Sequence, residues 1–241
     1  MSLKLLTLNM EADRHLDRVR SVIAAHQPDI LCLQEALETD CPELASINGY
    51  EVKYAVMARL EDQTSPNVQR NWGVALMSRV PVRHRAIHYY SADSNIRVLR
   101  EPDDARQVLV VSELEHRGKP YRFITTHFTW SAEGQISDEQ KADFIRLKQA
   151  LSHYEDYVLC GDFNAPRGRD MFAKFRNELH LTDHLPASVT TTIDSRFHRA
   201  GALELAVDTI FSTPEYQITN VNVLDGISDH KAIVALVERS T

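Results

Sequence analysis

The sequence has few residues of the types that divide a chain or cross-link it. It contains 8 glycines, 9 prolines and 3 cysteines in 241 residues, and aromatic residues make up 7%. We find no Pro/Gly/Ser-rich linker, low-complexity tract or internal repeat. Because 43% of the residues are hydrophobic, the chain can build one substantial core, or at most two small ones. We therefore expect a single domain over residues 1–241.

Long hydrophobic runs are also missing. No stretch approaches the roughly 20 apolar residues that a membrane helix needs. The apolar run at 3–8 is too short for the core of a secretory signal and has no small-residue cleavage pattern. Cys32, Cys41 and Cys160 lack the spacing of a metal site, and we expect Cys32 and Cys160 to be reduced core residues. These features predict a cytoplasmic protein with no membrane span, for which a monomer is the favoured state.

An excess of positive charge is absent as well. The formal net charge is −7, which does not favour a strong non-specific grip on duplex nucleic acid. Basic residues nevertheless gather in two places, at Arg167 with Arg169 and in the segment 196–199. Each group could bind a polyanionic substrate or lie in a solvated loop.

Apolar runs dominate the remaining sequence and predict many strands. Several runs are continuously apolar, as expected when both faces of a sheet are covered. Polar stretches at 57–71, 91–105, 128–137 and 186–200 are predicted to be loops around the functional site. The predicted strands are 3–8, 29–33, 50–56, 73–78, 106–114, 121–126, 157–161, 205–211, 216–223 and 231–237.

Helical signals are fewer. Leu16, Val19, Val22 and Ile23 mark one face of a helix that ends before Pro28. A second helix begins at Ser137, which forms a capping box with Gln140, and has Phe144, Leu147 and Leu151 on its apolar face. A shorter helix is predicted from Asp170 to about Leu179. Many strands with few helices predict an α/β fold of two packed sheets with helices outside.

Polar side chains follow or interrupt six of the predicted strands. Such residues are individually ordinary, because each could be a turn, a cap or the start of a solvated loop. Asp208 is harder to explain in that way, since a carboxylate between apolar neighbours is costly to bury without a partner. Together they indicate one site assembled from the whole chain. The set consists of Asn9, Glu35, His127, Asp162 with Asn164, Asp208, and Asp229 with His230.

These residue types suit metal-assisted hydrolysis of a phosphoester, which needs charge neutralisation, an aligned water and a stabilised leaving oxygen. Glu35 and Asp229 are hard oxygen donors appropriate to Mg²⁺ or Mn²⁺. Asp162 could orient or deprotonate the attacking water. Asn164, His127 and His230 could donate hydrogen bonds to the phosphate. Asp208 could hold His230 in one tautomer and raise its pKa.

The ordered motifs resemble those of the endonuclease/exonuclease/phosphatase superfamily over essentially the whole chain. They are Leu8-Asn9, Gln34-Glu35, the segment 72–79 (WGVALMSR), Thr126-His127, Gly161-Asp162-Phe163-Asn164, the segment 207–211 (VDTIF) and Ser228-Asp229-His230. The resemblance implies a four-layer αββα sandwich of two mixed β-sheets with helices outside. It also implies a Mg²⁺-dependent phosphoric ester hydrolase.

The resemblance further implies roles for individual residues. Glu35 is similar to the principal metal ligand, and Asn9 to the amide beside the metal and phosphate. Asp229 matches the acid on the metal side. Glu11 could be a further metal-linked acid or a loop residue, and Arg106 could contact phosphate or be a surface strand residue. The catalytic set implied by the resemblance is Asp162, Asn164, Asp208, His230 and His127.

The substrate is less well defined by the sequence. The Trp-Cys-Asp-Arg pattern of inositol 5-phosphatases is not present around Asp208, and no carboxylate partner for His127 is evident. Trp130 could stack on a base or pack within the fold. A phosphodiesterase or nuclease acting on nucleic acid is the first hypothesis, and an enzyme for a small or lipid-linked phosphoester is the second. A catalytically silent binding scaffold is disfavoured, because every acid, amide and histidine of the mechanism is present.

Overall fold

A computed structural model describes residues 2–62 and 68–240. Within these ranges the chain forms twelve strands and four α-helices. In order they are β1 (Leu3–Asn9), α1 (Leu16–His26), β2 (Ile30–Leu37), α2 (Cys41–Ser46), β3 (Glu51–Glu61), β4 (Gln69–Ser78), β5 (Val82–Tyr89), β6 (Val108–His116), β7 (Lys119–His127), α3 (Asp138–Leu151), β8 (Val158–Asp162), α4 (Asp170–Glu178), β9 (Thr182–Asp183), β10 (Asp208–Ser212), β11 (Tyr216–Leu224) and β12 (Ala232–Arg239).

The strands form two mixed six-stranded sheets. The first has the order β11-β12-β1-β2-β4-β3 and the second the order β5-β6-β7-β8-β10-β9. Each sheet contains one central parallel pair, β1 with β2 and β7 with β8, and the neighbouring strands run antiparallel to that pair. The helices α1 and α3 make the crossovers within these parallel pairs. At one end of each sheet, therefore, the carboxyl ends of two adjacent parallel strands lie side by side.

Three apolar clusters hold the layers together. The central cluster lies between the sheets and joins residues such as Leu5 and Cys32 of the first sheet to Phe123 and Cys160 of the second. A second cluster packs α1 and α2 on the outer face of the first sheet. A third packs α3 and α4 on the outer face of the second sheet. Both faces of each sheet are thus covered, which explains the continuously apolar strands and confirms the predicted four-layer sandwich.

The predicted helices and most predicted strands are confirmed. Ser137 caps α3 by accepting a hydrogen bond from the backbone N–H of Gln140 at 3.0 Å, as the capping box predicts. α1 ends at His26, two residues before Pro28, and α4 covers the third predicted helix.

Some boundaries were wrong. β3 continues to Glu61 and β4 begins at Gln69, so residues 57–61 and 69–71 are strand and not loop. β10 begins at Asp208 instead of residue 205. β5, β9 and α2 were not predicted. Residues 63–67 of the predicted loop 57–71 lie outside the described residues. Across the described residues, no helix is long and apolar enough to cross a membrane.

Candidate active site

The candidate site lies where the two parallel strand pairs end. In the first sheet Asn9 of β1 is in register with Gln34 of β2, which precedes Glu35. In the second sheet His127 of β7 is in register with Asp162 of β8. Asp208, at the start of antiparallel β10, is also in register with Asp162. The carboxyl ends of parallel strands are where α/β sheets place ligand-binding residues, so the topology gathers the predicted residues at one edge.

Asn9 joins the two sheets at this edge. Its amide nitrogen Nδ2 donates to Oε1 of Glu35 at 2.9 Å and to Oδ2 of Asp162 at 3.1 Å. Its Oδ1 accepts from the backbone N–H of Glu11 at 3.2 Å. Asn9 is buried, and so is Asp162. One amide therefore holds a carboxylate from each sheet in a fixed relation.

Asp162 is surrounded by donors. Its Oδ1 accepts from the backbone N–H of Asn164 at 2.9 Å. Its Oδ2 lies 3.5 Å from Nε2 of His127 and 3.8 Å from Nε2 of His230. Two imidazoles thus converge on one carboxylate oxygen, although neither is within close hydrogen-bond distance. The resulting space between the rings and the carboxylate lies at the centre of the site.

His127 has no carboxylate partner on its other nitrogen. The Nδ1 atom is buried and makes no hydrogen bond to the described part of the chain, and the ring contacts Trp72 edge-on with 5.7 Å between the ring centroids. Packing, rather than a hydrogen bond at Nδ1, sets the orientation of this ring.

His230 is held by a buried carboxylate. Its Nδ1 lies 2.8 Å from Oδ2 of Asp208, and the hydroxyl of Thr192 donates to the same oxygen at 2.6 Å. Burial by itself would lower the pKa of His230, but the negative charges of Asp208 and Asp162 outweigh it and raise that pKa well above its usual value. These charges favour the protonated form of His230, whose Nε2 lies 3.8 Å from Oδ2 of Asp162.

Glu35 and Asp229 are the two carboxylates of the predicted metal set. Burial raises the pKa of Glu35, His127 and Asn9 act against that rise, and the nearby charge of Asp229 adds to it. Glu35 lies at a β-bulge between β2 and β4 and has a left-handed φ of 55°. Such a backbone is costly for a residue other than glycine and is typical of functional positions. Asp229 accepts a hydrogen bond from the Ser228 hydroxyl at 3.0 Å.

Gly161 allows β8 to approach β7 directly beneath the site. Its φ is 140°, and a Cβ atom there would lie 2.0 Å from the carbonyl oxygen of Thr126. Since real Cβ atoms do not approach backbone oxygen so closely, only glycine fits. This explains why glycine precedes Asp162, and why the strand can bring Asp162 level with His127.

The side chains of Asn164 and Arg106 contact a backbone carbonyl oxygen and an aromatic ring, respectively. The side-chain amide of Asn164 donates to the carbonyl oxygen of Phe128 at 2.9 Å, and the residue has a left-handed φ of 47°. Arg106 lies just before β6, at the same end of the sheet as the site. Its guanidinium stacks on the ring of Tyr89 at 3.6 Å, and its backbone N–H donates to Met57 of the other sheet. These contacts join Arg106 to the sheet boundary rather than to Asp162.

Three arginines of the two basic groups seen in the sequence are engaged in internal contacts. Arg167 donates to the carbonyl oxygens of Leu185 and Pro186 at 2.9 and 3.1 Å. Arg196 donates twice to Asp194, at 2.9 and 2.7 Å, and lies 3.2 Å from Asp225. Arg169 donates to the carbonyl oxygen of Glu133. The interpretation of these arginines as loop residues is the one that agrees with their contacts.

The sequence analysis missed one residue of the site region and included another only as part of a basic segment. Thr192, which was missed, orients Asp208. His198, in the segment 196–199, places its ring 6.5 Å from that of His230 in an edge-on arrangement. Both lie in the polar stretch 186–200, where no periodicity marks the side chains that face the site.

Two donor sets could hold a metal ion. The first is the predicted set of Glu35, Asp229 and Asn9. The second is formed by Asp162, Asp208 and His230, one ligand atom of each lying within 4.8 Å of the others. In the second set, however, Nδ1 of His230 and Oδ2 of Asp208 are already bonded to each other. Its geometry is therefore that of a proton-holding pair next to a carboxylate.

Comparison with known proteins identifies a family whose model the chain matches. The model of the endonuclease/exonuclease/phosphatase family matches residues 6–230. A phospholipase C from Staphylococcus aureus is 25% identical over 147 residues, which covers 56% of this chain. The match spans only 42% of the length of that relative.

Solved structures share the fold over nearly the full chain. The human nocturnin catalytic domain with a bound sulfate anion has a TM-score of 0.73 and 20% identity, and the match covers 99% of this chain and 94% of that one. ANGEL2, described as a 2',3'-cyclic phosphatase in complex with adenosine-2',3'-vanadate, has a TM-score of 0.72 and 14% identity, with 98% and 95% covered. At these identities the likeness establishes the fold alone.

Proposed function

The chain belongs to the endonuclease/exonuclease/phosphatase family, and on this premise we propose that it is a divalent-metal-dependent phosphodiesterase that acts on nucleic acid. The observation that carries the proposal is the surroundings of Asp162. Its Oδ2 accepts from Asn9 and lies 3.5 Å from His127 and 3.8 Å from His230, while Oδ1 is held by Asn164. A carboxylate fixed in this way and aimed at two imidazoles can activate a water beside a bound phosphate.

The carboxylates of Glu35 and Asp229 suit a divalent cation, and Asn9, which turns its Nδ2 toward Glu35, would position that carboxylate. Two carboxylates lie close enough for the charge of Asp229 to raise the pKa of Glu35, and a cation between them would relieve that repulsion. Hard carboxylate and amide oxygens are the ligands that Mg²⁺ and Mn²⁺ prefer. When bound, such an ion supplies charge neutralisation at the phosphoryl oxygens. Asn9 orients Glu35 through its 2.9 Å hydrogen bond.

The residues of the chain then divide the remaining work. Asp162 aligns the attacking water with the phosphorus and accepts its proton as the new P–O bond forms. The ester P–O bond on the opposite side breaks, and the leaving oxygen takes up a proton from solvent. The imidazolium of His230, held at Nδ1 by Asp208, donates from Nε2 to a phosphoryl oxygen. His127 and the second amide proton of Asn164 are further donors for the phosphate. Charge that develops on the phosphoryl oxygens therefore meets donors that are already in position, which lowers the barrier without rearrangement.

Trp130 supports a nucleic-acid substrate. It follows His127 by three residues at the end of β7, and 47% of its surface is exposed, which is unusual for a large aromatic residue. An exposed indole near a phosphate site can stack on an unpaired base. The adenosine-2',3'-vanadate bound to ANGEL2, which shares the fold, is consistent with a nucleotide as ligand. A single-stranded end fits better than a duplex, because the net charge is −7.

A small or lipid-linked phosphoester is the second candidate, and one observation favours it. Arg167, Arg169 and Arg196 are all committed to internal oxygen atoms, so these residues do not form a basic track for a long polyanion. The partial match to a phospholipase C points in the same direction. A silent scaffold remains disfavoured, since no member of the predicted catalytic set is replaced.

The experiment that tests the proposal is an activity screen with Mg²⁺ or Mn²⁺ across single-stranded DNA, RNA, tyrosyl-DNA, a phosphoinositide and a bis-aryl phosphate. We expect hydrolysis of at least one nucleic-acid substrate and its loss in EDTA. Asp162→Asn should lower that turnover by several orders of magnitude, since its removal takes away the base and its oriented water.

Three outcomes distinguish the candidates. Hydrolysis confined to the phosphoinositide or the bis-aryl phosphate would favour the second candidate. Metal-independent activity, or an Asp162→Asn variant as fast as the parent, would contradict the proposed mechanism. Three statements stay predictions: the single domain over 1–241, the monomeric state and the cytoplasmic location. Gel filtration would check the monomeric state.

A further inference from the structure

The loop between β9 and β10 carries an imidazole that the predicted set does not include. His198 is half-buried, and its ring lies edge-on to that of His230 with 6.5 Å between centroids. Burial lowers the pKa of His198, and the charges of Asp229, His230 and Glu11 also act on it. The ring of His198 therefore lies beside that of His230, within reach of the charges of both carboxylates.

The tautomer of His198 is fixed by the backbone. The N–H of Ala200 donates to Nδ1 of His198 at 3.2 Å, so Nδ1 acts as an acceptor and carries no proton. The ring proton then belongs to Nε2, the nitrogen that this turn leaves available. A neutral imidazole in this tautomer offers one N–H donor to a ligand.

The position of the loop is fixed on two sides. Backbone N–H groups of Phe197 and His198 donate to the carbonyl oxygen of Asp194 at 3.1 and 3.0 Å. The carboxylate of Asp194 accepts from the N–H of Gly226 at 2.7 Å, which ties the loop to the turn after β11. Asp194 also holds Arg196, so the base of the loop is fully hydrogen-bonded.

Phe197 fixes the other side. Its ring lies 5.0 Å from the ring of His15 and 4.5 Å from the guanidinium of Arg18, both at the start of the first sheet's outer helix. The residue before His198 is thus clamped between the loop and the segment that follows Asn9. A side chain supported in this way can recognise a ligand without first being ordered, which lowers the entropic cost of binding.

From these contacts we propose that His198 is a substrate-binding residue that donates a hydrogen bond from Nε2 to a phosphoryl oxygen of the phosphoester. The inference rests on the proposed function, because it takes the space beside His230 to hold the phosphate. The ligand chemistry is a tetrahedral phosphate bearing at least one ester or free oxygen on the Glu11 side of the site. His230 provides a charged donor and His198 a neutral one.

Two substitutions distinguish the functions of the two ring nitrogens of His198. His198→Asn keeps an acceptor near the position of Nδ1 for Ala200 but deletes the Nε2 donor. His198→Gln reaches about as far as Nε2 and keeps a donor there. Ser195→Ala, at an exposed position of the same loop, is the matched control. Melting temperatures of the three variants, compared with the parent, verify that each has folded.

The measurements are kcat and KM for a bis-aryl phosphate with Mg²⁺, and the rise in melting temperature produced by inorganic phosphate with Mg²⁺, which reports binding independently of turnover. For His198→Asn we expect phosphate affinity and kcat/KM to fall by roughly tenfold to a hundredfold, the size of a lost hydrogen bond to a charged group. His198→Gln should recover most of the loss, and Ser195→Ala should match the parent.

The outcomes are decisive in either direction. Phosphate affinity of His198→Asn within about twofold of the parent, which is below the value of a single hydrogen bond, would overturn the proposal. Equal losses in the Asn and Gln variants would also overturn it, since the donor would then be irrelevant. If the parent binds phosphate in a His198-dependent manner but hydrolyses no member of the substrate panel, the proposed function fails while this site stands.

Discussion

Nδ1 of His230 and Oδ2 of Asp208 are 2.8 Å apart, and both side chains are buried. The pair joins the segment just before β12 to the start of β10. Because Thr192 donates to the same carboxylate oxygen at 2.6 Å, the position of Asp208 is set from two directions. The geometry therefore sets the orientation of the His230 ring.

Asp208→Asn tests this coupling. The raised pKa of His230 means that activity requiring the imidazolium is present at and below neutral pH and is lost as the pH rises through that pKa. Removing the negative charge of Asp208 lowers the pKa, so the alkaline loss should begin at a lower pH. We also expect kcat at the optimum to fall by roughly 100-fold or more, by analogy with the range for positioned acid–base groups. The pH–rate profile is the measurement.

Asp138→Asn is the matched control for this experiment, since Asp138 is exposed at the start of α3 and pairs with Lys141. Its profile should coincide with that of the parent. An Asp208→Asn profile with an unmoved alkaline limb would show that His230 does not act as the charged donor.

Glu35→Gln tests the proposed metal ligand. The substitution keeps the shape of the side chain but removes its negative charge, so Mg²⁺ affinity should fall by at least about tenfold, the lower end of the losses seen for residues that merely support a ligand. Calorimetric titration of Mg²⁺ into the EDTA-stripped protein measures this directly. Glu38→Gln, at an exposed position three residues further along, should leave the titration unchanged. Identical Mg²⁺ affinities for Glu35→Gln and the parent would remove Glu35 from the ligand set.

Gly161→Ala tests the close approach of β8 to β7. A Cβ placed 2.0 Å from the Thr126 carbonyl oxygen forces the two strands apart, and we expect a loss in the free energy of unfolding of about 4 kcal/mol or more. Gly49→Ala is the control, because Gly49 also has a positive φ, of 67°, but its Cβ would meet nothing within 4 Å. Its cost should be limited to backbone strain of about 1 kcal/mol.

Urea unfolding of Gly161→Ala and Gly49→Ala measures the loss in the free energy of unfolding caused by each substitution. Equal midpoints for Gly161→Ala and Gly49→Ala would mean that the two strands can relieve the contact with Thr126 at little cost in free energy. The catalytic rate of folded Gly161→Ala, measured below its midpoint, should also fall, because the added methyl group displaces Asp162 from its register with His127.

The sequence predicts the sandwich well because its strong signals come from burial. Strands covered on both faces, such as β1 and β8, are continuously apolar and stand out. β5 was missed because it is an edge strand whose Arg83, His84 and Arg85 face solvent or neighbouring acids. Its register depends on β6, which a local pattern does not reveal.

The site was predictable where polar residues end apolar strands, and not where they lie in polar loops. Asn9, Glu35, His127, Asp162 and Asp208 contrast with the strands that carry them, and the structure brings them together. Contacts made by loops depend on tertiary packing instead. The roles of Thr192 and of the internally bonded arginines therefore became evident only from the structure.

The amide of Asn9 contacts an acid of its own sheet and an acid of the opposite sheet. The reactive centre is therefore formed by both sheets together and by neither sheet alone. A slippage of one layer by a few ångströms would leave every ladder intact and still separate the metal-side acids from the proton-handling groups. Catalysis should consequently be lost under milder denaturing conditions than those that abolish the β-sheet signal in circular dichroism. The turnover rate therefore reports how tightly the two sheets pack against each other.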